Sequence, residues 1–411
     1  MSISSSNSHR RLARGWALLG AVTVSLGCLT SPVAAQDVRS RQWYLDAMKA
    51  EDLWRTSTGK GVTVAVIDNK VDDSTPELRG QVLAGKDFTE TQDSRVRSSS
   101  HGTQMAALIS GSGRSGGIKG VAPDAKILPL KTSGLDDHSV DDPTDKWVKA
   151  IRYAVSKGAR IINMSVRAVG LLDGSEEKLQ QAIDEANAKG ALVFAGMGND
   201  GDIGDGAGYP ALLKGVVAVS AVDKSGTAAK FSTHGAQTAL AAPGAEIPGR
   251  CPTSGSWCQG QGTSQATAIT SGSAALIWSA HPKWTANQVL RVMMQTASKP
   301  KGEVPSEYIG YGIIRPAQVL LDGKGDPGPA DVNPLFPKYQ PGKASSASPS
   351  SPAKGDAPSG AADADSKTPA SSAAGGDDGS DYTLVYTGIG VAAALVIGGG
   401  AYALIRWRRR A

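Results

Sequence analysis

An α/β fold built on a central, mostly parallel sheet is the class this chain predicts, on three observations. Apolar, β-branched runs recur at 61–68, 126–130, 160–164, 191–195 and 215–221. Uninterrupted runs of that kind suit strands covered on both faces, as in parallel sheets. Stretches with helical character fall between or after them, at 103–110, 146–157, 176–189 and 264–280. Strand and helix therefore alternate, the pattern of an α/β domain.

Taken in order, the first run is Gly61-Val62-Thr63-Val64-Ala65-Val66-Ile67-Asp68, six of whose residues are aliphatic or β-branched before a carboxylate closes it. The small-residue stretch 103–110 follows His101-Gly102 directly. In 146–157, Trp147, Ile151, Ala154 and Val155 recur at spacings of three and four, and in 176–189 Leu179, Ile183 and Ala186 do the same; each series paints one face of a helix. The last stretch, 264–280, is small and aliphatic and ends near His281-Pro282. Reactive groups in such folds gather at the carboxyl ends of strands.

The two ends of the chain read as membrane signals. Residues 1–35 have the form of a secretory signal peptide: Arg10, Arg11 and Arg14, an apolar stretch from Trp16, then Val33-Ala34-Ala35 as a cleavage site before Gln36. Residues 382–405 contain no charged side chain. At 1.5 Å per residue such a helix crosses a hydrocarbon core of about 30 Å. Arg406, Arg408, Arg409 and Arg410 follow it, a basic tail 406–411 that belongs in the cytoplasm, with Trp407 at the interface. Between them, 322–381 is rich in Pro, Ala, Ser, Gly and Asp, too poor in large apolar residues to order itself. As a flexible tether it would span roughly 40–45 Å. One extracellular domain, 36–321, remains, held to the cell membrane by a single pass.

Composition excludes several functions. Glycine supplies 50 of 411 residues with no G-X-Y period, so close backbone approaches are expected but not collagen. The net charge of +5 becomes −2 once the seven arginines at the two ends are set aside. A nucleic-acid binder needs its basic surface on the folded domain. No phosphate loop and no Cys/His zinc spacing occurs, so no cofactor and no metal is expected. Asp136, Asp137, His138, Asp141, Asp142 and Asp145 read as a solvated acidic loop.

Four polar residues stand at predicted strand or helix ends. Asp68 closes the first strand, His101 precedes a helix, Asn199 lies in the turn Gly198-Asn199-Asp200-Gly201, and Ser264 opens the last helix behind Gly262-Thr263. A helix start aims backbone amides at a developing anion, and Asp…His…Ser is one of the known chain orders of a nucleophilic triad. The stretch from 61 to 316 resembles the subtilisin-like serine peptidases, on Val66-Ile67-Asp68, His101-Gly102-Thr103, Gly198-Asn199 and Gly262-Thr263-Ser264, supported by Gly120-Val121-Ala122-Pro123-Asp124-Ala125 and Ala241-Ala242-Pro243-Gly244. That resemblance implies a three-layer subtilisin-like fold and a serine endopeptidase. It makes Ser264 the nucleophile, His101 its base and Asp68 the partner of the imidazole. Asn199 and the Ser264 amide become the oxyanion hole, and Ser165, Val166 and Arg167 the substrate-binding edge.

The whole layout, with Gln42-Trp43-Tyr44-Leu45 and Ala50-Glu51-Asp52-Leu53-Trp54 ahead of the first strand, is similar to the mycosins, membrane-anchored subtilases of type VII secretion. Exported protein substrates and components of the secretion membrane complex are the partners this implies. Three motifs depart from the family pattern. Asp-Thr-Gly is here Asp68-Asn69-Lys70, Ser-Leu-Gly-Gly is Ser165-Val166-Arg167-Ala168, and the proline after the serine helix start is missing from Ser264-Gln265-Ala266-Thr267-Ala268. An inward-turned Arg167 would exclude bulky aromatic side chains and favour small or acidic ones; an outward one would change local charge alone. These departures also motivate a rival reading, a structural subunit of the secretion complex with little or no proteolysis. Cys251 and Cys258 are the cysteines left after signal cleavage, and export into an oxidising space predicts a disulfide between them.

Overall fold

The computed structural model describes residues 38–89, 100–133, 142–204, 206–251 and 256–341. The proposed signal peptide, membrane span and basic tail lie outside the described residues, as do 342–381 of the expected tether and most of the acidic loop. Among the described residues no helix is long and apolar enough to cross a membrane.

Two short helices, α1 (Trp43–Ala47) and α2 (Ala50–Thr56), precede β1 (Thr63–Asp68). The chain continues through β2 (Lys86–Asp87), α3 (His101–Ser110), β3 (Lys126–Lys131), α4 (Thr144–Ser156), β4 (Ile161–Met164), α5 (Ser175–Ala188), β5 (Leu192–Gly196) and β6 (Val216–Val222). It closes with β7 (Thr238–Pro243), β8 (Ile247–Arg250), β9 (Trp257–Gly260), α6 (Thr263–Ala280), α7 (Ala286–Thr296) and α8 (Pro316–Leu320). The central sheet runs β2-β3-β1-β4-β5-β6-β7, with every neighbouring pair parallel. A separate antiparallel hairpin, β8-β9, carries the disulfide Cys251–Cys258 at its end, with Cα atoms 5.1 Å apart.

Alternation along each strand splits the core in two. Val64, Val66 and Phe194 face a cluster with Met105, Ile109, Ile269 and Trp278. Ala65, Ile67 and Val193 face another with Trp147, Ile151, Leu179 and Ile183. The sheet is thus the middle of three layers, with α3, α6 and α7 on one side and α4 and α5 on the other, as the apolar periodicity predicts. The strands β1, β4, β5 and β6 fall where the runs place them, and β1 sits between β3 and β4. Strand order reverses about β1, so its carboxyl end opens the crevice where α/β sheets place their chemistry.

α6 is buried nearly all round, which requires small side chains and a use for each hydroxyl. Thr267, Thr270 and Ser273 return theirs to the carbonyls of Thr263, Ala266 and Ile269. Gly272 lets the helix close on the Val121 segment, since a Cβ there would stand 2.8 Å from Val121 Cβ.

Part of the expected tether belongs to the domain. Residues 322–341 run along α7, where the Arg291 guanidinium binds the carbonyls of Pro327, Pro329 and Val332 and the Thr285 hydroxyl donates to Ala330. Tyr339 Oη donates to Asp184 at 2.6 Å and Leu335 packs against the core. Composition could not show the run along α7 because those contacts use backbone carbonyls. Of the acidic loop, Asp142 lies on the described surface and accepts from the Thr144 and Leu172 amides. Burial works against its charge, but bonds from Ser175, Thr144 and Leu172 outweigh that and hold its carboxyl below the usual range.

Candidate active site

Asp68 is the last residue of β1 and is buried, 2% exposed. His101 opens α3 and presents Nδ1 to both carboxylate oxygens, at 2.9 and 2.8 Å. With Nδ1 donating to Asp68, Nε2 is the free face of the ring, and the side chain keeps 40% exposure. Burial pulls the imidazole pKa down; the Asp68 charge and hydrogen bond outweigh it and raise the pKa above its ordinary value.

The loop leaving β1 is clasped to the start of α3. Asn69 donates its amide to Asp68 Oδ1 at 2.7 Å, and its side-chain oxygen accepts from the Gly102 amide at 2.8 Å. Ser100 Oγ donates to the Lys70 carbonyl at 2.7 Å, and Thr103 Oγ1 accepts from the Asp72 amide at 2.8 Å. Gly102 is required here, because a Cβ would stand 2.6 Å from the Asn69 carbonyl oxygen. Asn69, Ser100 and Thr103 are functional neighbours the sequence reading missed; the replacement of the family threonine by Asn69 was the visible signal.

Ser264 is the second residue of α6, behind the Gly262 cap. Among the described residues its hydroxyl forms no hydrogen bond with His101; the pairing in such sites commonly tightens only around substrate. Its carbonyl accepts from Ser165 Oγ at 3.1 Å, the end of a buried chain in which Ser271 Oγ donates to Asn163 and Asn163 Nδ2 donates to Ser165 Oγ, both at 3.0 Å. The hydroxyl of Ser165 is therefore spent on holding α6 against β4, while Val166 packs on the second core.

Asn199 stands exposed past the end of β5. Its Oδ1 accepts from the Thr263 amide at 2.9 Å and from Thr263 Oγ1 at 3.2 Å, which settles the amide orientation and leaves Nδ2 beside Gly262. Thr263 Oγ1 in turn accepts from the Gly198 amide at 3.1 Å. Nδ2 and the amides opening α6 thus stand together beside Ser264. Arg167 turns inward, with Nη1 on the Asp200 carboxylate and Nη2 donating to the Gly206 carbonyl at 2.7 Å. The hairpin carrying Cys251–Cys258 leads through β9 directly into Gly262 and α6.

The chain that carries this imidazole–carboxylate pair is similar to known proteins. Residues 59–312 match the subtilase family, peptidase S8. Subtilisin E of Bacillus subtilis (strain 168) is 37% identical over 261 residues, 62% of this chain and 65% of the subtilisin E chain. Thermitase of Thermoactinomyces vulgaris is 32% identical over 264 residues, covering 64% of this chain and 90% of thermitase. Among solved structures, MycP1 from Mycobacterium smegmatis superposes with a TM-score of 0.60 at 26% identity, over 70% of this chain and 86% of that one. The MycP3 protease from the type VII (ESX-3) secretion system gives 0.59 at 28% identity, over 68% of this chain and 87% of its own. With the match spanning the sheet and all four polar residues at its carboxyl edge, the chain belongs to the subtilase family.

Proposed function

We propose that the protein is a serine endopeptidase in which Ser264 attacks the scissile carbonyl, His101 Nε2 takes the hydroxyl proton and later delivers it to the leaving amine, and Asp68 stabilises the imidazolium. Asn199 Nδ2 and the Ser264 amide would receive the oxyanion, each such donor contributing roughly 3–4 kcal/mol in the transition state. Substrate would lie extended along Ser165-Val166-Arg167, with main-chain pairing as in other strand-addition sites. The observation that carries this reading is the Asp68–His101 pair at 2.8 Å, with the ring's second nitrogen left for chemistry. No cofactor enters this mechanism.

Ser264→Ala in the purified full-length chain should lower peptide hydrolysis by about 10⁶-fold while leaving the thermal melt in place, because triad members act as a unit. Cleavage by that variant at the wild-type rate would sink the proposal. A wild type inert to all peptides and to serine-directed reagents would instead favour the rival structural-subunit reading.

The finer reading is a peptidase at the cell membrane, catalytic domain outside and basic tail inside, processing proteins exported by a type VII system and associating with its membrane complex. It is supported by the uncharged span 382–405 with its arginine tail and by the likeness to MycP1 and MycP3. Single cysteines placed in 344–380 should label from outside intact cells and one beyond Arg410 should not; the reverse pattern would refute the topology.

A further inference from the structure

Two segments leaving neighbouring strands frame a crevice beside Ser264. Ser165-Val166-Arg167 leaves β4 and Gly198-Asn199 leaves β5, and β4 pairs with β5 in parallel. Both segments are tied to the first turn of α6, one through Ser165 to the Ser264 carbonyl and one through Asn199 to the Thr263 amide. A peptide whose scissile carbonyl oxygen meets Asn199 Nδ2, and whose backbone follows 165–167, sends the side chain of its acyl-side residue into the gap between these segments.

Arg167 fills that gap. A Cβ on Gly198 would stand 2.9 Å from Arg167 Nε and 3.1 Å from its Cδ, and one on Gly208 would stand 2.6 Å from its Cγ. Gly198 also has φ +123°, a conformation that side chains rarely adopt. The opposite side of the gap is held by paired hydrogen bonds between Ala168 and Tyr209, at 3.0 and 2.8 Å. The guanidinium is held at both ends, by Asp200 and by the Gly206 carbonyl, and the side chain is 21% exposed. Displacing it would strand Asp200, and an unpaired charge left behind in a partly buried site is costly.

We propose that Arg167, locked by Asp200, plugs the acyl-side specificity crevice and restricts this enzyme to peptides with Gly, Ala or Ser donating the scissile carbonyl. The proposal rests on the peptidase reading. It also separates small from acidic side chains: with its charge neutralised by Asp200, Arg167 gives an incoming carboxylate nothing to bind.

The test compares peptides differing only in the acyl-side residue, Ala, Phe or Glu, against the full-length wild type, Arg167→Gly and Asp200→Asn, each checked for a native melt. Wild type should prefer Ala over Phe by about 30-fold or more in kcat/KM, and Arg167→Gly should raise the Phe-to-Ala ratio at least about tenfold. Asp200→Asn frees the cation, so the Glu-to-Ala ratio should rise about fivefold or more, and adding Arg167→Gly should abolish that gain. An unchanged Phe-to-Ala ratio in Arg167→Gly, or a wild type that takes Phe as readily as Ala, overturns the plug. If Arg167→Gly does not fold, an unchanged Glu-to-Ala ratio in Asp200→Asn overturns it equally. Should wild type be inert to every peptide and to a small fluorophosphonate, labelling of Arg167→Gly alone would support the plug in its extreme form. Failure of both to label would overturn the peptidase reading and the plug with it.

Discussion

Asn199 does two jobs with one side chain, and two substitutions separate them. Its Oδ1 accepts from the Thr263 amide at 2.9 Å, while Nδ2 is left to meet the oxyanion. Asn199→Ala removes both. Losing one transition-state donor costs about 10²–10³ in kcat, with KM little changed because the bond forms only as charge develops. Thr263 is 2% exposed, so its amide would be orphaned away from water, a loss of about 1–3 kcal/mol that lowers Tm by roughly 2–10 °C. Asn199→Asp keeps the acceptor, and a carboxylate beside the start of α6 also suits the helix dipole. Its melt should therefore recover towards wild type while kcat stays at least as low, since its charge repels the oxyanion. Steady-state kinetics on an Ala-containing peptide and a thermal melt of all three proteins read the two effects apart. If Asn199→Ala keeps kcat within about threefold of wild type, Nδ2 is no oxyanion donor. If Asn199→Asp melts as low as Asn199→Ala, the anchoring role is wrong.

The raised pKa of His101 sets the acid side of the pH profile. Catalysis needs the neutral imidazole, so kcat/KM should rise with pH through an inflection above the ordinary value of about 6.5. Asp68→Asn removes what raises it, so that inflection should move to lower pH while the rate falls about 10⁴-fold; an inflection that stays in place would show that Asp68 does not set the charge on the ring. The Cys251–Cys258 bridge closes a loop with a sequence separation of 7, for which chain entropy gives about 2 kcal/mol of stabilisation. Reduction, or Cys251→Ser with Cys258→Ser, should lower Tm by about 4–8 °C; two reactive thiols in the unfolded, unreduced protein would contradict the bridge itself.

How far the fold could be read depended on what signals burial. The runs ending at Asp68, Met164 and Ala195 are mostly β-branched or apolar, and they became β1, β4 and β5 with boundaries shifted by a residue or two. β7, Thr238–Pro243, is just as buried but is half alanine, and Thr238 is its one β-branched residue, so neither periodicity nor a β-branched run announces it. β2 has two exposed residues, Lys86 and Asp87, and pairs only through the register of β3. The four polar residues of the candidate site stood out in the sequence because each follows a strand or begins a helix. Arg167 was not decided by sequence, since its direction depends on Asp200, thirty-three positions away and on another strand's exit loop. The clasp made by Asn69 was hidden for the same reason: its partner is a backbone amide, and any residue but proline carries one.

The departures from the family pattern divide into two groups with opposite consequences. Around Asp68, what Asp-Thr-Gly would supply is taken over locally. The Asn69 amide anchors the carboxylate and its side chain reaches Gly102, while Ser100 and Thr103 bind the same loop to α3. The net worth of each bond is modest, about 0.5–1.5 kcal/mol, but together they tie the exit of β1 to the residue after His101, and the contact that orients the imidazole, Asp68 to His101 Nδ1, stays at 2.8 Å. Likewise, α6 lacks the proline that follows the family serine, but Ala268 in its place keeps a backbone N–H for the helix ladder, and Thr267 and Thr270 spend their buried hydroxyls on carbonyls one turn back. Around Arg167 nothing restores what was replaced. A glycine's open space is filled by a paired cation, and Gly198 and Gly208 are the positions that make room for it. The substitutions near the charge line thus preserve geometry, whereas those at the substrate edge change shape. A chain retaining catalysis while narrowing what it accepts would show this division; one drifting toward a purely structural role would have no reason to keep His101 Nδ1 paired with Asp68 while Nε2 and Asn199 Nδ2 stay open.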